Sequence, residues 1–196
     1  YTYSNGDHYI GEFSADKFNG KGVFSYTDGN QYKGNFEQGL FSGQGTYTYA
    51  DGNQYIGGWI QGARTGTGTF TWSNGSRYVG QWKDDKRHGE GTILYGNGDQ
   101  YIGGWQSGKR AGPGTFKRAD GSKYIGEWKD DKKTGPGTKT WGPKSDRAGD
   151  KYIGEFNKDV FHGQGIYSYA KGDQYIGAWK EGAQDGEGTY KYANGD

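Results

Sequence analysis

Histidine and cysteine, two residue types suited to catalysis and metal binding, are scarce in this chain of 196 residues. It has no cysteine, and its three histidines, His8, His88 and His162, are separated by at least 74 residues along the chain. A catalytic or metal site needs several such groups converging on one point. The recurring Gly-x-Gly motif, as at 66–68 and 89–91, lacks the strand–loop–helix context of a phosphate-binding loop. We therefore expect no enzyme activity, no metal and no cofactor.

The strands that position all these residues follow from a repeat in the sequence. Tyrosine opens eight copies of one unit, at steps of 23 residues with one step of 28. Such a period is typical of repeat proteins, in which each unit buries its face only against its neighbours. Positions are counted below from the opening tyrosine of each copy. The predicted divisions are 1–8, the end of a preceding copy, and then copies one to eight at 9–31, 32–54, 55–77, 78–100, 101–123, 124–151, 152–174 and 175–196.

The pattern inside each copy predicts two strands. Rings or glycines fall at positions 1, 3 and 5 and again at 12, 14, 16 and 18, as side chains on one face of a strand do. Asp-Gly or Asn-Gly follows the second set and is typical of a hairpin turn. We expect strands at about positions 1–5 and 14–18, joined by a loop of about six residues. Pro113 and Pro136, at position 13, favour a second strand that starts after them, because proline donates no ladder hydrogen bond.

Composition limits the fold to a thin sheet. Only 30% of residues are apolar, whereas 41 are glycine and 17% are aromatic. Such a chain cannot fill a thick core, but it can cover a sheet with rings, and it is too aromatic to be disordered. We predict an all-β fold, an elongated single-layer antiparallel meander of tandem β-hairpins, twisted and curved into an open groove. The net charge of +1 gives no reason to expect nucleic-acid binding.

The ring-bearing face is the first candidate binding surface. In copy three, Tyr55, Gly57 and Trp59 should lie on one face of the sheet and Ile56 on the other. A single-layer sheet has no second layer to cover its rings, and exposed apolar surface marks interaction sites. We expect a helix or extended peptide of a protein partner to lie along this groove. The predicted partner-binding residues are Trp59, Trp82, Trp105, Trp128, Trp179, Tyr55, Tyr78 and Tyr101.

A basic column is the second candidate surface. Position 10 is Arg64, Arg87, Arg110 and Lys133 in copies three to six. Equivalent positions should repeat every ~10 Å, so these residues form a stripe suited to anionic lipid head groups. The competing interpretation is internal, because copies with phenylalanine at position 10 also have it at position 5, and copies with a basic residue at position 10 have tryptophan at position 5. This covariation indicates contact, as an aromatic or a cation–π pair.

Copies five and six depart from the pattern. Lys139 replaces the ring at position 16, and Arg118 replaces the ring at position 18. Copy six also carries five extra residues within 142–150. This longer loop is either a docking point or an insertion tolerated at a surface turn.

The unit resembles a known repeat. Its pattern Y-x-G-x-W-x6-G-x-G-T, as in 78–92, is similar to the MORN (membrane occupation and recognition nexus) repeat, and the resemblance covers residues 9–195. It implies a β-hairpin array without catalytic activity, which acts as a scaffold for protein partners or for membrane and cytoskeletal assemblies. It also implies a cytoplasmic protein associated with membranes or the cytoskeleton, and some members of the family are linked to phospholipid binding.

Three functions stay open from the sequence. The leading one is a scaffold that binds a protein partner along the aromatic groove. The alternatives are a membrane-surface adaptor that binds anionic phospholipid through the basic column, and a regulatory module of a larger enzyme. The strands near 1–3 and 190–192 should expose unpaired edges, so we expect either more protein beyond both ends or end-to-end or homo-oligomeric association.

Overall fold

The computed structural model describes residues 1–195, so Asp196, which ends the predicted eighth copy, lies outside the described residues. The chain folds as two compact units, Tyr1–Gly96 and a second unit that begins at Asn97. The first unit contains β1 (His8–Ser14), β2 (Lys17–Ser25), β3 (Gln31–Glu37), β4 (Leu40–Thr48), β5 (Gln54–Ile60), β6 (Ala63–Thr71), β7 (Arg77–Lys83) and β8 (Lys86–Leu94). The second contains β9 (Gln100–Gln106), β10 (Lys109–Lys117), β11 (Lys123–Lys129), β12 (Lys132–Thr140), β13 (Lys151–Asn157), β14 (Val160–Ser168), β15 (Gln174–Lys180) and β16 (Ala183–Lys191).

Each unit is an antiparallel meander in which every strand pairs with the next one in sequence. In copy three, β5 and β6 pair through Tyr55↔Phe70 and Gly57↔Gly68. The next pair, β6 and β7, sets Gly68 opposite Gly80. The all-β meander of tandem hairpins predicted from the sequence is therefore confirmed in both units. In residues 1–195 we find no helix with the length and apolar character needed to span a bilayer.

The hairpin turns are tighter than predicted, and the second strand starts earlier. In copy three, β5 ends at Ile60 and β6 begins at Ala63, at position 9 rather than 14. The two residues between them, Gln61 and Gly62, have φ angles of 49° and 83°. Positive φ at both central residues gives a type I′ turn, whose twist matches that of the flanking strands.

The Asp-Gly and Asn-Gly pairs lie in the connections between copies, not in two-residue hairpin turns. Residues 72–76 link β6 to β7. The Trp72 N–H donates to the Ser76 carbonyl at 2.9 Å, and the Gly75 N–H donates to the Trp72 carbonyl at 3.0 Å. Glycine is suited to this site because Gly75 has a φ of 83°, which side chains other than asparagine and aspartate rarely adopt.

Proline at position 13 lies inside the second strand, contrary to the prediction. Pro113 belongs to β10, which begins four residues earlier at Lys109. The ladder from β10 to β9 is irregular between Arg110 and Gly114. The proline that lacks an N–H therefore falls in a bulge, where no regular pair on that side is lost.

The interior consists of tyrosine rings laid over glycine backbone. Tyr55 is 0% exposed, and a Cβ built at Gly68 would lie 2.6 Å from its Cε2 atom. The hydroxyl group donates a hydrogen bond to the Gly58 carbonyl at 3.2 Å. Tyr78 repeats this arrangement over Gly91. A side chain at position 14 would expel the ring, which explains why glycine and tyrosine occur together in every copy.

Candidate protein-binding surface

The eight side chains predicted to bind a partner are buried in the structure, and we call them the ring floor. Tyr55, Tyr78 and Tyr101 are 0% exposed, Trp59, Trp105 and Trp128 are 4%, and Trp82 and Trp179 are 6%. Their rings pack edge to face: the centroid of Tyr55 is 5.2 Å from that of Trp59 and 5.2 Å from that of Trp82 in the next copy. Direct contact between a partner and the ring floor stays a prediction.

Burial keeps the tyrosines of the ring floor neutral. It raises the pKa of Tyr55 to about 12, although the nearby Arg64 guanidinium opposes the shift. It raises the pKa of Tyr78 to about 12 as well. The phenols therefore act as hydrogen-bond donors to backbone carbonyls across the physiological pH range, and they do not act as acids or bases.

More accessible rings stand beside the ring floor, at positions 16 and 18. In copies one to three we call them the ring ladder: Phe24, Tyr26, Tyr47, Tyr49, Phe70 and Trp72. The two rings of one copy lie 4.6 Å apart, as in Tyr47 and Tyr49, and Tyr49 lies 5.8 Å from Phe70 of the next copy. Phe70 is buried and the other five are half-buried. The ladder therefore presents a continuous row of partly accessible rings.

The reverse face of the sheet carries aliphatic residues and threonines. Ile56 is 50% exposed and lies opposite Thr46 on one side and Thr69 on the other. A shallow groove of about 670 Å³ runs beside it, lined in part by Val23 and Lys33. The predicted separation of rings and Ile56 onto opposite faces agrees with their burial, because Tyr55 is covered and Ile56 is not.

Position 10 covers the opening tyrosine of its own copy in one of two ways, and the first uses phenylalanine. The ring at position 10 stacks on the opening tyrosine of its own copy. The centroid distances and interplanar angles are 3.9 Å and 19° for Phe18 on Tyr9, 3.7 Å and 12° for Phe41 on Tyr32, and 3.8 Å and 14° for Phe161 on Tyr152. We call these the phenylalanine junctions.

The second kind of cover uses a cation and an aspartate from the next copy. The Arg64 Cζ lies 5.6 Å from the Tyr55 centroid and 4.7 Å from that of Trp82. Its Nε is 2.9 Å from Oδ1 of Asp85, which also accepts the Arg64 backbone N–H at 3.0 Å. We call this a basic junction. Arg110 forms another, with its Cζ 4.2 Å from the Trp128 centroid and with Asp131 in place of Asp85.

Lys133 forms a third basic junction, with Asp159 of copy seven. Its Nζ lies 5.5 Å from the Tyr124 centroid and 3.7 Å from Oδ1 of Asp159. Burial lowers the pKa of Lys133, and Asp159 opposes that shift. Burial also opposes ionisation of Asp159, but the Lys133 backbone N–H and the Lys132 ammonium outweigh it and lower the pKa of that carboxyl.

The basic column therefore makes internal contacts, and for Lys133 these include the ring predicted, since its Nζ lies 5.8 Å from the centroid of Trp128 of its own copy. Arg64 and Trp59 are cross-strand partners, as the covariation indicates. The rings beneath the Arg64 guanidinium are instead Tyr55 and Phe70 of its own copy and Trp82 of the next. Arg87 lies over Tyr78, with its Cζ 5.8 Å from the centroid. These contacts favour a structural role for the four residues over the binding of anionic lipid.

Position 10 of one copy and position 8 of the next copy vary together, and a comparison of positions within single copies does not reveal this. Phenylalanine at position 10 is followed by glycine at position 8 of the next copy, and three of the four basic residues, Arg64, Arg110 and Lys133, are followed by aspartate; the fourth, Arg87, is followed by Gly108. The pairs are Phe18 with Gly39, Phe41 with Gly62, Phe161 with Gly182, Arg64 with Asp85, Arg110 with Asp131, and Lys133 with Asp159. This pattern is visible in the sequence once positions are compared across copies.

A second contact between copies also escaped the sequence reasoning. The side chain at position 22 accepts the backbone N–H of position 19 in the following copy. Asn53 accepts the Ser73 N–H at 2.8 Å, and Asp99 accepts the Ala119 N–H at 2.9 Å. The loops between copies are thereby fixed to one another along one edge of each unit.

The residues suited to catalysis stay scattered in the structure. His8 lies on β1, His88 on β8 and His162 on β14. Across the described part of the chain, no group of three or more histidine, cysteine or acidic residues is placed to hold a metal ion.

Repeated hairpins, position for position alike, define the class of this protein as a tandem β-hairpin array. The MORN repeat model matches residues 9–31, 32–54, 55–77, 78–100, 101–123, 124–145, 152–174 and 175–196. The chain therefore belongs to the MORN repeat family. Among curated proteins, none matches its sequence.

Three solved structures are similar to this chain at low identity. One is the TCP domain of Drosophila melanogaster SAS-4 (dCPAP) in complex with a proline-rich motif of Ana2 (dSTIL), at 13% identity and a TM-score of 0.49, covering 88% of this chain and 90% of that one. Another is the G-box domain of the microcephaly protein CPAP, at 14% and 0.38, covering 98% and 96%. The third is the TCP10 domain of Danio rerio CPAP with a STIL peptide, at 11% and 0.29, covering 96% of each chain. Likeness at this level carries no argument about function.

Proposed function

We propose that this chain is a non-catalytic scaffold that binds an extended or helical segment of a protein partner along its ring-bearing face. The observation that carries the proposal is the ring ladder, in which the half-buried Tyr47 and Tyr49 contact each other and Tyr49 contacts Phe70 of the next copy. Tyrosine and tryptophan dominate the energetics of interfaces because they offer large, rigid contact areas at low entropic cost.

The repeat also supports binding to a long segment. Equivalent rings in neighbouring copies should lie ~10 Å apart, two strand spacings. A segment running across the strands therefore meets a new pair of rings with each copy. Because the ring floor beneath is buried and close-packed, the ladder is held rigidly, and binding orders few side chains of the scaffold. Membership of the MORN family agrees with a role inside a larger assembly.

Peptides selected from a random display library against the whole chain would test the proposal. The affinity of the selected peptides is measured for wild type, for Tyr49→Ala on the ring ladder, and for Ile56→Ala on the reverse face. We expect Tyr49→Ala to weaken binding by about 30-fold, the size of an interface hot spot, and Ile56→Ala to leave it unchanged. Melting curves show that both variants are folded. Peptides that lose affinity with Ile56→Ala but not with Tyr49→Ala would place the binding surface on the reverse face and overturn the proposal.

A further inference from the structure

Cations interrupt the row of rings in the second unit. Position 18 of copy five is Arg118 and position 16 of copy six is Lys139. In copies two and three the same two positions are Tyr49 and Phe70, whose centroids are 5.8 Å apart. The two replacements therefore put two cations next to each other where two rings meet elsewhere.

Two further cations join this pair. Lys133, at position 10 of copy six, is six residues before Lys139 on the same strand and the same face. Arg147 comes from the five-residue insertion, and its Cζ lies 5.9 Å from the Trp141 centroid. The Lys139 Nζ lies 4.3 Å from that same centroid. We call Arg118, Lys133, Lys139 and Arg147 the cationic cluster.

Hydrogen bonds hold the insertion that carries Arg147 in a defined position. The Gly142 N–H donates to Ser122 Oγ at 3.0 Å. At the other end of the insertion, Asp150 accepts the Tyr167 hydroxyl group at 2.5 Å and the Ala170 N–H at 2.8 Å. Arg147 is therefore presented by a fixed loop rather than by a free tail.

The charge of the cationic cluster is only partly balanced. Lys133 shares Asp159 with Lys132, whereas Arg118, Lys139 and Arg147 make no ion pair within the part of the chain that the structure describes. Burial lowers the pKa of Lys139 to about 8, helped by the charges of Lys133, Arg118 and Arg147 and opposed by Asp120.

Burial of the Lys139 ammonium is unfavourable, and its contact with the Trp141 ring offsets part of that cost. Groups shifted by burial and by neighbouring like charges are frequent at functional sites. The placement of Arg118, Lys133 and Arg147 around the half-buried Lys139 therefore points to a ligand that neutralises the cationic cluster when it binds.

We propose that the cationic cluster binds an acidic group, a carboxylate or a phosphate monoester, carried by the protein segment that lies on the ring-bearing face. This inference rests on the proposed function and names the chemistry of the partner. Arg118 and Arg147 are exposed and able to form forked hydrogen bonds with such a group, and Lys139 supplies a point charge beneath them. Because Lys139 is half-buried beside Trp141 and Phe161, a single side chain reaches it more readily than a flat bilayer surface does.

The indole N–H resonance of Trp141 reports on the site in the whole chain. We would titrate sodium phosphate and, separately, sodium acetate at constant ionic strength set with chloride, and assign the resonance with Trp141→Phe. The variant pair Arg118→Gln with Lys139→Gln removes two charges from the cationic cluster. The matched control pair, Lys117→Gln with Lys151→Gln, removes two exposed charges from the reverse face. If the first pair fails to fold, Arg118→Tyr with Lys139→Tyr restores the rings instead.

We expect a saturable shift of the Trp141 resonance that weakens at least tenfold in the first pair and stays unchanged in the control pair. An unmoved resonance, or equal shifts in all proteins, would overturn the site whatever the outcome of the Tyr49→Ala test. Peptides selected on wild type should be rich in Asp and Glu, and peptides selected on the Arg118/Lys139 variant should not. Binding of phosphatidylserine vesicles without any response to phosphate or acetate would overturn the peptide ligand in favour of a membrane.

Discussion

Two kinds of junction join neighbouring copies on one and the same backbone. Phe41 is followed by Gly62, and the Gly62 N–H donates to the Phe41 carbonyl at 3.0 Å. Arg64 is followed by Asp85, and the Asp85 N–H donates to the Arg64 carbonyl at 3.2 Å. The side chains differ completely, yet the hydrogen bond is the same. The comparison shows that two unlike side-chain pairs fit the same backbone hydrogen bond and cover the opening tyrosine of a copy in different ways.

The two kinds of junction should differ in the source of their stability. A phenylalanine junction removes apolar area from water, a contribution that salt hardly affects. A basic junction combines a cation over rings with an ion pair, which salt and pH both weaken. The predictions below separate these sources, beginning with the largest expected effect.

Removing the ring of a phenylalanine junction should cost most. Phe161 is 8% exposed and stacks on Tyr152. Phe161→Ala should lower the free energy of unfolding by about 3 kcal/mol, because a large buried side chain is lost and a cavity remains. Urea denaturation measures this change. Val160→Ala, at a neighbouring residue that is 41% exposed, is the control and should have little effect. A loss below 1 kcal/mol for Phe161→Ala would mean that the stack is not a source of stability.

Removing the cation of a basic junction should cost less. Arg110→Ala loses the contact with Trp128 and the ion pair with Asp131, and we expect a loss of about 1–2 kcal/mol. The neighbouring Lys109 is the control, since its ion pair with Asp130 is exposed on both sides and contributes little. Equal losses for the two alanine variants, measured by urea denaturation, would contradict the structural role of Arg110.

The sequence predicts the hairpin array because one unit repeats at a fixed period. Within each unit, rings and glycines fall at alternating positions and therefore lie on one face of a strand. The sequence does not predict the turn, because type I′ turns here use residue pairs other than Asn-Gly. Asp84 and Asp85 adopt φ angles of 48° and 63° without any glycine. The Asn-Gly pair at 74–75 gave the stronger turn signal, but it lies in a longer loop.

The sequence predicts which tyrosines and tryptophans share the ring-bearing face, but it does not predict that they are buried. Rings at alternating positions place Tyr55 and Trp59 on one face, and the covariation of positions 5 and 10 indicates that Arg64 contacts a ring, but neither pattern shows that this ring is Tyr55 rather than its cross-strand partner Trp59. That contact depends on Asp85, which belongs to the following copy. Predicting contacts between copies requires the register of the strand pairs within a copy and between copies. The residue pattern of a single copy does not give the second of these registers.

Converting one junction into the other tests whether the pairs are interchangeable. Arg64→Phe alone should leave the Asp85 carboxylate beside an apolar ring, and Asp85→Gly alone should leave Arg64 without its ion pair. The double variant matches the Phe41 and Gly62 junction. We expect it to be more stable than the sum of the single changes indicates, with a coupling energy of about 1 kcal/mol. Additive effects in urea denaturation would show that the two positions do not act as a unit.

The smallest effect should be the acid sensitivity of the Lys133 and Asp159 junction. The pKa of Asp159 is lower in the folded chain than in the unfolded chain, so its contribution is present above the unfolded pKa and is lost as pH falls through the folded value. Asp159→Asn should therefore destabilise the chain at pH 6, and its difference from wild type should shrink towards pH 3. Urea denaturation midpoints at pH 6 and pH 3 measure this difference in stability. Asp146→Asn, which changes an exposed residue of the insertion, is the control. The phenylalanine junction at Phe161 and Gly182 has no carboxylate, so Phe161→Ala should cost the same at both values. A difference between Asp159→Asn and wild type that stays constant with pH would show that the carboxylate stabilises the junction through shape rather than charge.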